Sequence, residues 1–532
     1  MEEEKVFDDD GHLKKHPKGK FIYRLAGRDR QKSASYYTPE VLTKCLVKYA
    51  LKELLQGKTA DEILKLTICE PAMGSAAFLN EAINQLSEEY LLRKQRETAR
   101  IIPHQDYAQE KQKVKMFIAD NNVFGVDLNP VAVELAEVSL WLNTIYEGAF
   151  VPWFGMQLAC GNSLVGARRQ VFSSKLLQSV SKSQPSWLDS VPDRVMLGTE
   201  RPSHTVYHFL VPDKGMADYK DKVVRQMAKS SIEKIKSWKK TFFKAFSKGE
   251  TEQLERLSDA VDRLWDKQKD QLRKIRQRTA DPLEVFGQPE KQNGKVPSTT
   301  QQKDRILSQE IHSKDVRNSS PYRRLKLVMD YWCALWFWPI EKAHLLPTRE
   351  EFTLDLSLIL EGNLLHTFGE DGDLPLFPDS QPRDEALKLI DEHGYVNIDN
   401  LCKDIPRIAL VRELADRYHF LHWGLHFADI FAEGGGFDLV LGNPPWIKVE
   451  WEEGGILGEA EPLFVFRKFS GPALGDMRTG LLSSRELKRL YIDSYEESVA
   501  MQNFLHAEQN YPLGGCRLIL HIFSGMRYER SA

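Results

Sequence analysis

The stretch Phe437-Asp-Leu-Val-Leu-Gly-Asn-Pro-Pro-Trp446 decides the fold and the chemistry that this sequence predicts. Its first five residues are mostly apolar strand-formers and stop at Gly442, a pattern typical of a buried strand entering a turn. The two prolines remove two N–H donors but keep their carbonyl acceptors. In open α/β sheets, ligands bind at the carboxyl ends of strands. The turn therefore predicts a site for a planar amine, which would donate to Asn443 and a carbonyl and stack on Trp446. The alternative is a proline-stiffened turn with a packed tryptophan.

A second strand with a turn suited to a ligand lies far upstream. Leu66-Thr-Ile-Cys-Glu70 is predicted to be a strand, and small residues from Ala72 to Ala77 lead from it into a helix. Small residues let a ligand approach the backbone, and Glu70 can accept hydrogen bonds from an ammonium or a hydroxyl. With a single glycine, this signal is weaker than a full glycine-rich phosphate or dinucleotide motif.

Two more strands follow, and together they predict a parallel sheet. Val123-Phe-Gly-Val-Asp127 ends in an acid, at the place where this architecture binds a ribose diol; the alternative is that Asp127 is a turn acceptor. Asn129-Pro130 caps the next helix, and Gln157–Val165 is a third strand with the polar turn Gly161-Asn-Ser163. The face of that helix is expected to carry Val133, Ala136, Leu140 and Trp141. Strand–turn–helix units in series predict a doubly wound sheet.

Ser35-Tyr-Tyr-Thr-Pro-Glu40 predicts the start of another helix, with Thr38 as the N-cap and Pro39 as the first helical residue. The free N–H groups of such a start favour an anion such as a carboxylate, although a capped start alone also explains the segment. Apolar residues at helical spacing are expected to form its buried face: Val41, Leu42, Cys45, Leu46, Tyr49 and Leu54.

Five motifs, in this order, resemble those of the S-adenosylmethionine-dependent N6-adenine DNA methyltransferases. They are Tyr-Tyr-Thr-Pro, Glu-Pro-Ala-Met-Gly-Ser, Val-Asp-Leu-Asn-Pro, Gly-Asn-Ser-Leu and Gly-Asn-Pro-Pro-Trp. The chain most resembles the large single-chain type of bacterial restriction–modification (type IIG) and phage-defence systems, and Leu421–Phe431 is also similar to that subgroup. The resemblance covers roughly residues 20–165 and 415–465.

The resemblance implies a fold, a cofactor and a set of roles. The fold would be a Rossmann-like class I methyltransferase, α/β with a mostly parallel sheet. S-adenosylmethionine would contact one set of residues through its methionine, ribose and adenine: Tyr37, Thr38, Pro39, Glu70, Ala72, Gly74, Asp127 and Asn162. A flipped adenine of double-stranded DNA would be held by Asn443, Pro444, Pro445 and Trp446. No metal is needed, since accepting both N–H bonds from Asn443 and the Pro444 carbonyl would free the adenine nitrogen's lone pair.

The sequence departs from the family pattern in its glycine-rich turn and in its length. Glu70, Met73 and Ala76 stand where the family usually has aspartate, cysteine and a second glycine, which puts cofactor affinity rather than identity in doubt. Residues 431–532 hold the catalytic strand, and the 86 residues after Trp446 are too few for the remaining strands and a target-recognition domain. We therefore expect a truncated chain that binds cofactor poorly or aggregates and methylates little DNA.

The segment 166–430 is far longer than a usual connection and predicts an inserted, mainly helical domain between core parts 35–165 and 431–532. Within it, Asp218–Phe246 and Thr251–Arg278 are expected to form a helical hairpin split at Gly249. The first helix is lysine-rich, and a solvated face is favoured over phosphate contacts. Residues 287–303 are expected to be a polar linker, and Arg323–Ile340 a buried amphipathic helix. The basic arm 1–34 is likewise favoured as solvated.

Composition excludes several classes of protein. The chain has 532 residues and a net charge of −3, so two or three domains are expected and nucleic-acid contact must come from a local patch. Its six cysteines include no CxxC pair, which argues against zinc and against a disulfide scaffold. The acidic N-terminus has no signal-peptide pattern, and the longest apolar run, Tyr331–Ile340, is too short for a bilayer. We expect a soluble cytoplasmic protein without a membrane partner.

The function predicted from sequence is methylation of adenine N6 in DNA, in a restriction–modification or phage-defence setting that can include other subunits. Three alternatives stay open. The same Asn-Pro-Pro site would fit a glutamine amide of a protein or a base of RNA, and the short C-terminus would fit an inactive DNA-binding remnant. The early Tyr-Tyr-Thr-Pro helix and the large insertion favour DNA over a compact glutamine methyltransferase.

Overall fold

The computed structural model describes residues 38–181, 184–289, 298–310, 320–361, 397–445, 449–466 and 469–511. Two predicted site residues, Tyr37 and Trp446, lie outside this part of the chain. The basic arm 1–34 lies outside it as well.

A four-stranded parallel sheet organises the core of the molecule. Its strands are β1 (Ile68–Glu70), β2 (Val123–Asp127), β3 (Leu158–Cys160) and, numbered in chain order, β9 (Leu439–Val440). The order across the sheet is β3-β2-β1-β9 and every pair is parallel, with Ile68 in register with both Val123 and Leu439. The predicted α/β fold with a mostly parallel sheet is confirmed, and the strand before the Asn-Pro-Pro turn lies beside β1.

Alternating side chains of the strands pack into two different cores. Ile68, Val123 and Leu158 face one core, while Cys69 and Phe124 face the other. This follows from the two-residue period of a strand, and it explains why these strands are apolar throughout. The second core is completed by the segment 421–437, with Leu421 and Phe427 among its buried residues.

The first face of the sheet is covered by helices that connect or precede the strands. They are α1 (Glu40–Leu54), α2 (Ala60–Ile63), α3 (Ala77–Thr98), α4 (His104–Asn121) and α5 (Pro130–Thr144). The start of α5 is as predicted, because Asn129 Oδ1 accepts from the Val131 N–H at 3.0 Å and Pro130 follows. Its buried face contains the predicted Ala136 and Leu140.

The predicted buried face of α1 is wrong. The helix packs on α3 through Thr43, Val47 and Leu51, whereas the predicted Val41 and Tyr49 are 78% and 63% exposed. Leu42, Cys45 and Leu46 are exposed as well. Two apolar stripes run along this helix, and the narrower one, which includes a threonine, forms the contact with α3. Periodicity alone could not distinguish the two stripes.

The long segment between β3 and β9 contains both strands and helices. Its strands are β4 (Gln170–Ser173), β5 (Val180–Ser181), β6 (Gln184–Pro185), β7 (Asp193–Arg194) and β8 (Thr205–Tyr207). They form a three-stranded antiparallel sheet, β7-β4-β8, and the pair β5-β6. Its helices are α6 (Ser174–Gln178), α7 (Lys222–Met227), α8 (Lys229–Phe242), α9 (Lys248–Thr279), α10 (Thr300–Glu310), α11 (Pro321–Ala334), α12 (Arg349–Glu361), α13 (Ile398–Asp404), α14 (Pro406–Tyr418), α15 (Trp423–His426) and α16 (Ala428–Gly434).

The predicted helical hairpin is wrong. Helix α8 packs mainly against the 3₁₀ turn Ile340–Leu345, and α9 packs against α11, α12 and α16. Gly249 does not separate two helices, because it is the second residue of α9. The N-cap of α9 is Ser247, whose side chain accepts from the Glu250 N–H while the Glu250 carboxylate accepts from the Ser247 N–H. Glycine is tolerated there, since the first-turn N–H groups have no helical partner.

Two further predictions for this segment have mixed outcomes. The tryptophan-rich stretch is buried as predicted, with Trp332, Trp336 and Trp338 all 0% exposed, but the helix ends at Ala334 rather than Ile340. The segment 287–303 is only partly a linker. Residues 290–297 lie outside the described chain, but Lys303 belongs to α10 and forms a buried ion pair with Asp281 at 2.7 Å.

In the part of the chain that the structure describes after β9, four helices pack onto the core of the long segment. They are α17 (Gly454–Ala460), α18 (Leu463–Phe466), α19 (Gly471–Leu481) and α20 (Arg485–His506). Within the described ranges, no helix is long and apolar enough to cross a membrane.

Candidate cofactor and substrate site

The turn after β1 is built around a buried carboxylate. Glu70 is 2% exposed, and its carboxylate accepts from the Leu79 N–H at 3.3 Å, in the first turn of α3. Burial raises the pKa of Glu70 well above its usual value, the α3 amides oppose this shift, and the nearby Asp127 adds to it. Glu70 therefore caps α3, whose N-cap residue Ala76 contributes no side-chain hydrogen bond.

Two departures from the family's turn pattern have visible structural counterparts. A Cβ built on Gly125 would lie 2.3 Å from Met73 Sδ, so the glycine in β2 makes room for the methionine. Ala76 adopts the left-handed conformation, with φ +63°, at the position where the family has glycine. The methionine is thus accommodated by a small neighbour, while the alanine keeps a strained backbone.

Replacing Gly125 by alanine tests whether Met73 and Gly125 fit each other. Gly125→Ala is expected to lower the free energy of unfolding by about 1–3 kcal/mol, because the new methyl group overlaps Met73 Sδ. Chemical denaturation of Gly125→Ala, Met73→Ala and the double variant measures the coupling. The Gly125 substitution should cost clearly less in the Met73→Ala background. An equal cost in both backgrounds would show that Met73 is not the obstacle.

Asp127 links the first turn to the second and third strands. Its carboxylate accepts from the Gly74 N–H at 2.8 Å and from the Asn129 N–H at 2.9 Å. Its carbonyl accepts from the Gly161 N–H at 2.8 Å, so the tips of β2 and β3 are joined at this residue. The carboxylate is partly exposed, and the adjacent Leu128 is 50% exposed. The Asp127 carboxylate can accept hydrogen bonds from the hydroxyls of a sugar ring, and the exposed Leu128 beside it can pack against a flat base.

Asn162 lies in a turn that residues 419–423 hold in place. We call this segment the clamp. Its side-chain oxygen accepts from the Leu164 N–H at 3.0 Å, and its own N–H donates to the His419 carbonyl at 2.7 Å. Asn162 and Phe420 form a parallel bridge, which places residues 419–421 along the outer edge of β3. The Trp423 indole N–H donates to the Ser163 carbonyl at 3.0 Å. The turn predicted to face the cofactor adenine is thus fixed by the chain that leads to β9.

A buried charged network anchors this clamp. His422 Nδ1 accepts from the Ala167 N–H at 3.0 Å, which leaves Nε2–H to donate to Asp330 Oδ1, also at 3.0 Å. Burial lowers the pKa of His422, so the ring is neutral at neutral pH. Burial also opposes ionisation of Asp330, but Lys326 and His422 hold the pKa of this carboxyl below its usual value. Sequence analysis missed this network, because its residues are unremarkable one at a time.

The Asn-Pro-Pro turn contacts the residues just before α1, although 405 positions separate Thr38 from Asn443 in the sequence. The Asn443 side-chain N–H donates to Thr38 Oγ1 at 3.2 Å, and both residues lie at the surface. A Cβ on Gly442 would lie 3.7 Å from both Glu70 Cγ and Pro71 Cδ, so this turn borders the first one. The predicted N-cap is wrong: the residue at the N-cap is Pro39, which lacks a capping side chain, and the Thr38 hydroxyl is bonded to Asn443.

The structure brings most of the predicted residues to one edge of the sheet. Glu70 ends β1 and is followed by Ala72 and Gly74, Asp127 ends β2, Asn162 follows β3, and Asn443 with Pro444 and Pro445 follows β9. Thr38 and Pro39 adjoin this edge through the Asn443 hydrogen bond.

The residues at this edge fit S-adenosylmethionine. Gly74 has φ +52°, and a Cβ built on it would meet nothing within 4 Å, so its backbone borders open space. That space lies beside Asp127, which holds the Gly74 amide. The Asp127 carboxylate can still accept hydroxyl donors, because it uses only two of about four lone-pair sites.

Comparison with known proteins supports the resemblance seen in the sequence. Residues 20–157 match the N-6 DNA methylase family. The predicted resemblance to the N6 DNA methyltransferases is thereby confirmed. Four of the five motifs on which the prediction rested involve residues within or directly after this segment: the Tyr-Tyr-Thr-Pro, Glu-Pro-Ala-Met-Gly-Ser, Val-Asp-Leu-Asn-Pro and Gly-Asn-Ser-Leu stretches.

A relative supports the same family. A protein of Methanocaldococcus jannaschii that carries the name of a type II restriction enzyme and methyltransferase is 28% identical over 198 residues. The match covers 28% of this chain and 16% of the relative, so this DNA methyltransferase-like chain spans only a small part of the relative's length. No solved structure matches the chain.

Proposed function

We propose that this chain carries the cofactor site and the catalytic turn of an N6-adenine DNA methyltransferase with a Rossmann-like class I fold. It would transfer a methyl group from S-adenosylmethionine to N6 of an adenine flipped out of double-stranded DNA. The observation that supports this most directly is the contact between Asn443 and Thr38, which brings the Asn-Pro-Pro turn to the edge where the cofactor motifs meet. The family match over residues 20–157 supports the same activity.

The cofactor would be held at the carboxyl ends of β1, β2 and β3. S-adenosylmethionine supplies a methyl group on a positively charged sulfur, and members of this family generally use it. Asp127 would accept hydrogen bonds from the ribose hydroxyls, and the Gly74 backbone would let the ligand approach closely. Leu128 offers an apolar contact to the adenine base, and Asn162 would face its edge. Glu70 would stabilise the ammonium of the methionine from its buried position.

The target base would be held by the Asn-Pro-Pro turn after β9. Asn443, whose side-chain N–H donates to Thr38, would accept from the exocyclic amine of adenine through its Oδ1. The Pro444 carbonyl would accept the second N–H, because proline lacks an N–H donor but keeps its carbonyl acceptor. Both acceptors would localise the nitrogen lone pair toward the methyl donor, and Trp446 would replace the stacking lost on base flipping.

The proposed domains and setting follow from the same family. We propose core parts at 35–165 and 431–532, an insertion at 166–430 and a basic arm at 1–34. A restriction–modification role agrees with the name of the relative. We further propose a phage-defence setting, a cytoplasmic location and other subunits as partners. Incubation of the protein with labelled cofactor and with DNA, RNA or protein tests the substrate. Label in N6-methyladenine of DNA is expected, and label in RNA or in glutamine would contradict the proposal.

Substituting Asp127 tests the cofactor assignment. Asp127→Ala is expected to weaken S-adenosylmethionine binding about tenfold or more, as the loss of a charge-assisted hydrogen bond implies. Calorimetry measures the affinity, and circular dichroism shows whether the variant is folded. Asp127→Asn keeps one acceptor and should lose less. Wild-type affinity in a folded Asp127→Ala protein would remove this residue from the site.

A further inference from the structure

A row of exposed lysines runs along α8 and the turn after it. Residues 229–248 contain seven lysines and a single acid, Glu233, although the whole chain has a net charge of −3. Two of the seven are paired, Lys239 with Asp218 at 2.9 Å and Lys248 with Glu252 at 3.8 Å. The other five are exposed and form no ion pair within the described ranges: Lys229, Lys234, Lys236, Lys240 and Lys244. We call these five the lysine face.

The helix is fixed so that the lysine face points outward. Its opposite side is buried through Ile232, Ile235, Trp238 and Phe242. The Trp238 indole N–H donates to the Pro347 carbonyl at 2.7 Å, which anchors the helix to the core of the long segment. Lysines four residues apart, such as 236 and 240, lie about 6 Å apart along the axis, so several positive charges are held close together. Such a concentration of like charge is unfavourable unless an anion is bound.

A solvated helix usually mixes charges of both signs, and α9 shows that pattern. Along α9, Lys267 and Lys274 alternate with acids such as Asp266 and Asp270. Glu233 is the only acid among the five lysines of α8. The contrast between the two helices of one segment favours an anionic ligand for α8 over simple solvation.

The segment before α7, which leads to the lysine face, is linked by contacts to the chain that follows the proposed base-binding turn. The N–H groups of Lys220 and Asp221, directly before α7, donate to the Tyr495 hydroxyl at 3.0 and 2.9 Å. The Tyr495 ring lies 5.4 Å from the ring of Trp451. Trp451 is five residues after Trp446 in the sequence. The segment that leads into α8 is thus linked, through Tyr495, to the segment that follows the proposed base-binding turn.

We propose that the lysine face binds the phosphate backbone of the double-stranded DNA that the chain methylates. This inference rests on the proposed function, and it assigns to the insertion a sequence-independent contact. The exposed residues between the lysines include Ser230, Ser237 and Thr241, whose hydroxyls can also donate to phosphates. No large apolar side chain is exposed on this stretch, as insertion into a lipid surface would require. DNA therefore fits the face better than an anionic membrane does.

Paired substitutions on two helices test the proposal. Lys236→Gln with Lys240→Gln removes two charges from the lysine face, and Lys267→Gln with Lys274→Gln removes two from α9 as a matched control. The affinity for a duplex of mixed sequence is measured by fluorescence anisotropy over a range of salt concentrations. The α8 variant should bind about tenfold more weakly, with a salt slope smaller by about 2, because each phosphate contact contributes about 0.9 to that slope. The control should stay close to wild type.

Other readouts separate this proposal from the proposed function. Cofactor affinity, and methylation rate at saturating DNA, should be unchanged in the α8 variant, because neither depends on backbone contacts. If the parent protein binds DNA but does not methylate it, the proposed function fails while the binding comparison still decides the lysine face. Equal loss in both variants, or unchanged DNA binding by the α8 variant, would overturn the proposal. Loss of binding to phosphatidylserine vesicles without loss of DNA binding would overturn it in favour of a membrane.

Discussion

Asn443→Ala is expected to reduce methyl transfer by roughly 10²–10³-fold or more while leaving S-adenosylmethionine affinity unchanged. The size follows from the loss of one preorganised polar contact to the reacting group, which typically costs this much in turnover. Cofactor binding should persist because Asn443 follows β9, whereas Gly74, Asp127 and Asn162 lie at the ends of β1, β2 and β3. Single-turnover methylation of DNA by the intact protein measures the effect, and calorimetry measures cofactor affinity.

Thr38 provides the comparison for this experiment. Thr38→Val removes the hydroxyl that Asn443 contacts, so the amide would lose its orientation but not its acceptor. Its effect on turnover should be smaller than that of Asn443→Ala, and Thr38→Ser, which keeps the hydroxyl, should be close to wild type. Wild-type turnover in Asn443→Ala would contradict the catalytic assignment. A loss of cofactor affinity equal to the loss of turnover would instead place Asn443 in the cofactor site.

The strand tips could be predicted because their signals are local. Val123–Asp127 and the run before Gly442 are short apolar segments that end at an acid or a glycine, and both are strands in the structure. Parallel strands place their carboxyl ends at one edge of a sheet, so the common location of Glu70, Asp127 and Asn443 followed from topology. The roles of these residues in binding and catalysis remain predictions.

The errors arose where several packing solutions fit one local pattern. On α1, the apolar residues Val41 and Leu42 stay exposed, whereas Thr43 and Val47 face α3. Periodicity identifies an amphipathic helix but does not decide between two stripes of similar character. Gly249 was interpreted as a break, although the Ser247 and Glu250 pair is a capping box that marks a helix start just before it.

Contacts between distant parts of the chain could not be predicted from the sequence. Thr38 and Asn443 are 405 residues apart, and His422 and Asp330 are 92 apart. No sequence rule pairs such residues, since loop closure alone does not favour one long-range partner over another. Met73 and Gly125 did carry a usable signal: a bulky residue in a small-residue turn implies a small neighbour on the next strand.

Gly166→Ala is expected to be the most destabilising of the substitutions considered for this protein. A Cβ on Gly166 would lie 1.9 Å from the Leu421 carbonyl oxygen and 2.7 Å from its carbonyl carbon. Both atoms are backbone, so no side-chain rotation can relieve the overlap, and the segment 419–423 must move away from the turn. We expect the free energy of unfolding to fall by about 3 kcal/mol or more, at the upper end of overpacking effects. Chemical denaturation measures this change.

The same substitution should also weaken cofactor binding, because the displaced segment is the one that holds Asn162 through the His419 carbonyl. Gly249→Ala is the matched control: nothing lies within 4 Å of a Cβ at that position, which is in the first turn of α9. It should stabilise the protein slightly, by about 0.5–1 kcal/mol, since alanine loses less backbone freedom in a helix than glycine does. Equal stability of the two variants would show that Leu421 does not press against Gly166. Lower stability of Gly166→Ala with unchanged cofactor affinity would separate the clamp from the proposed adenine contact of Asn162.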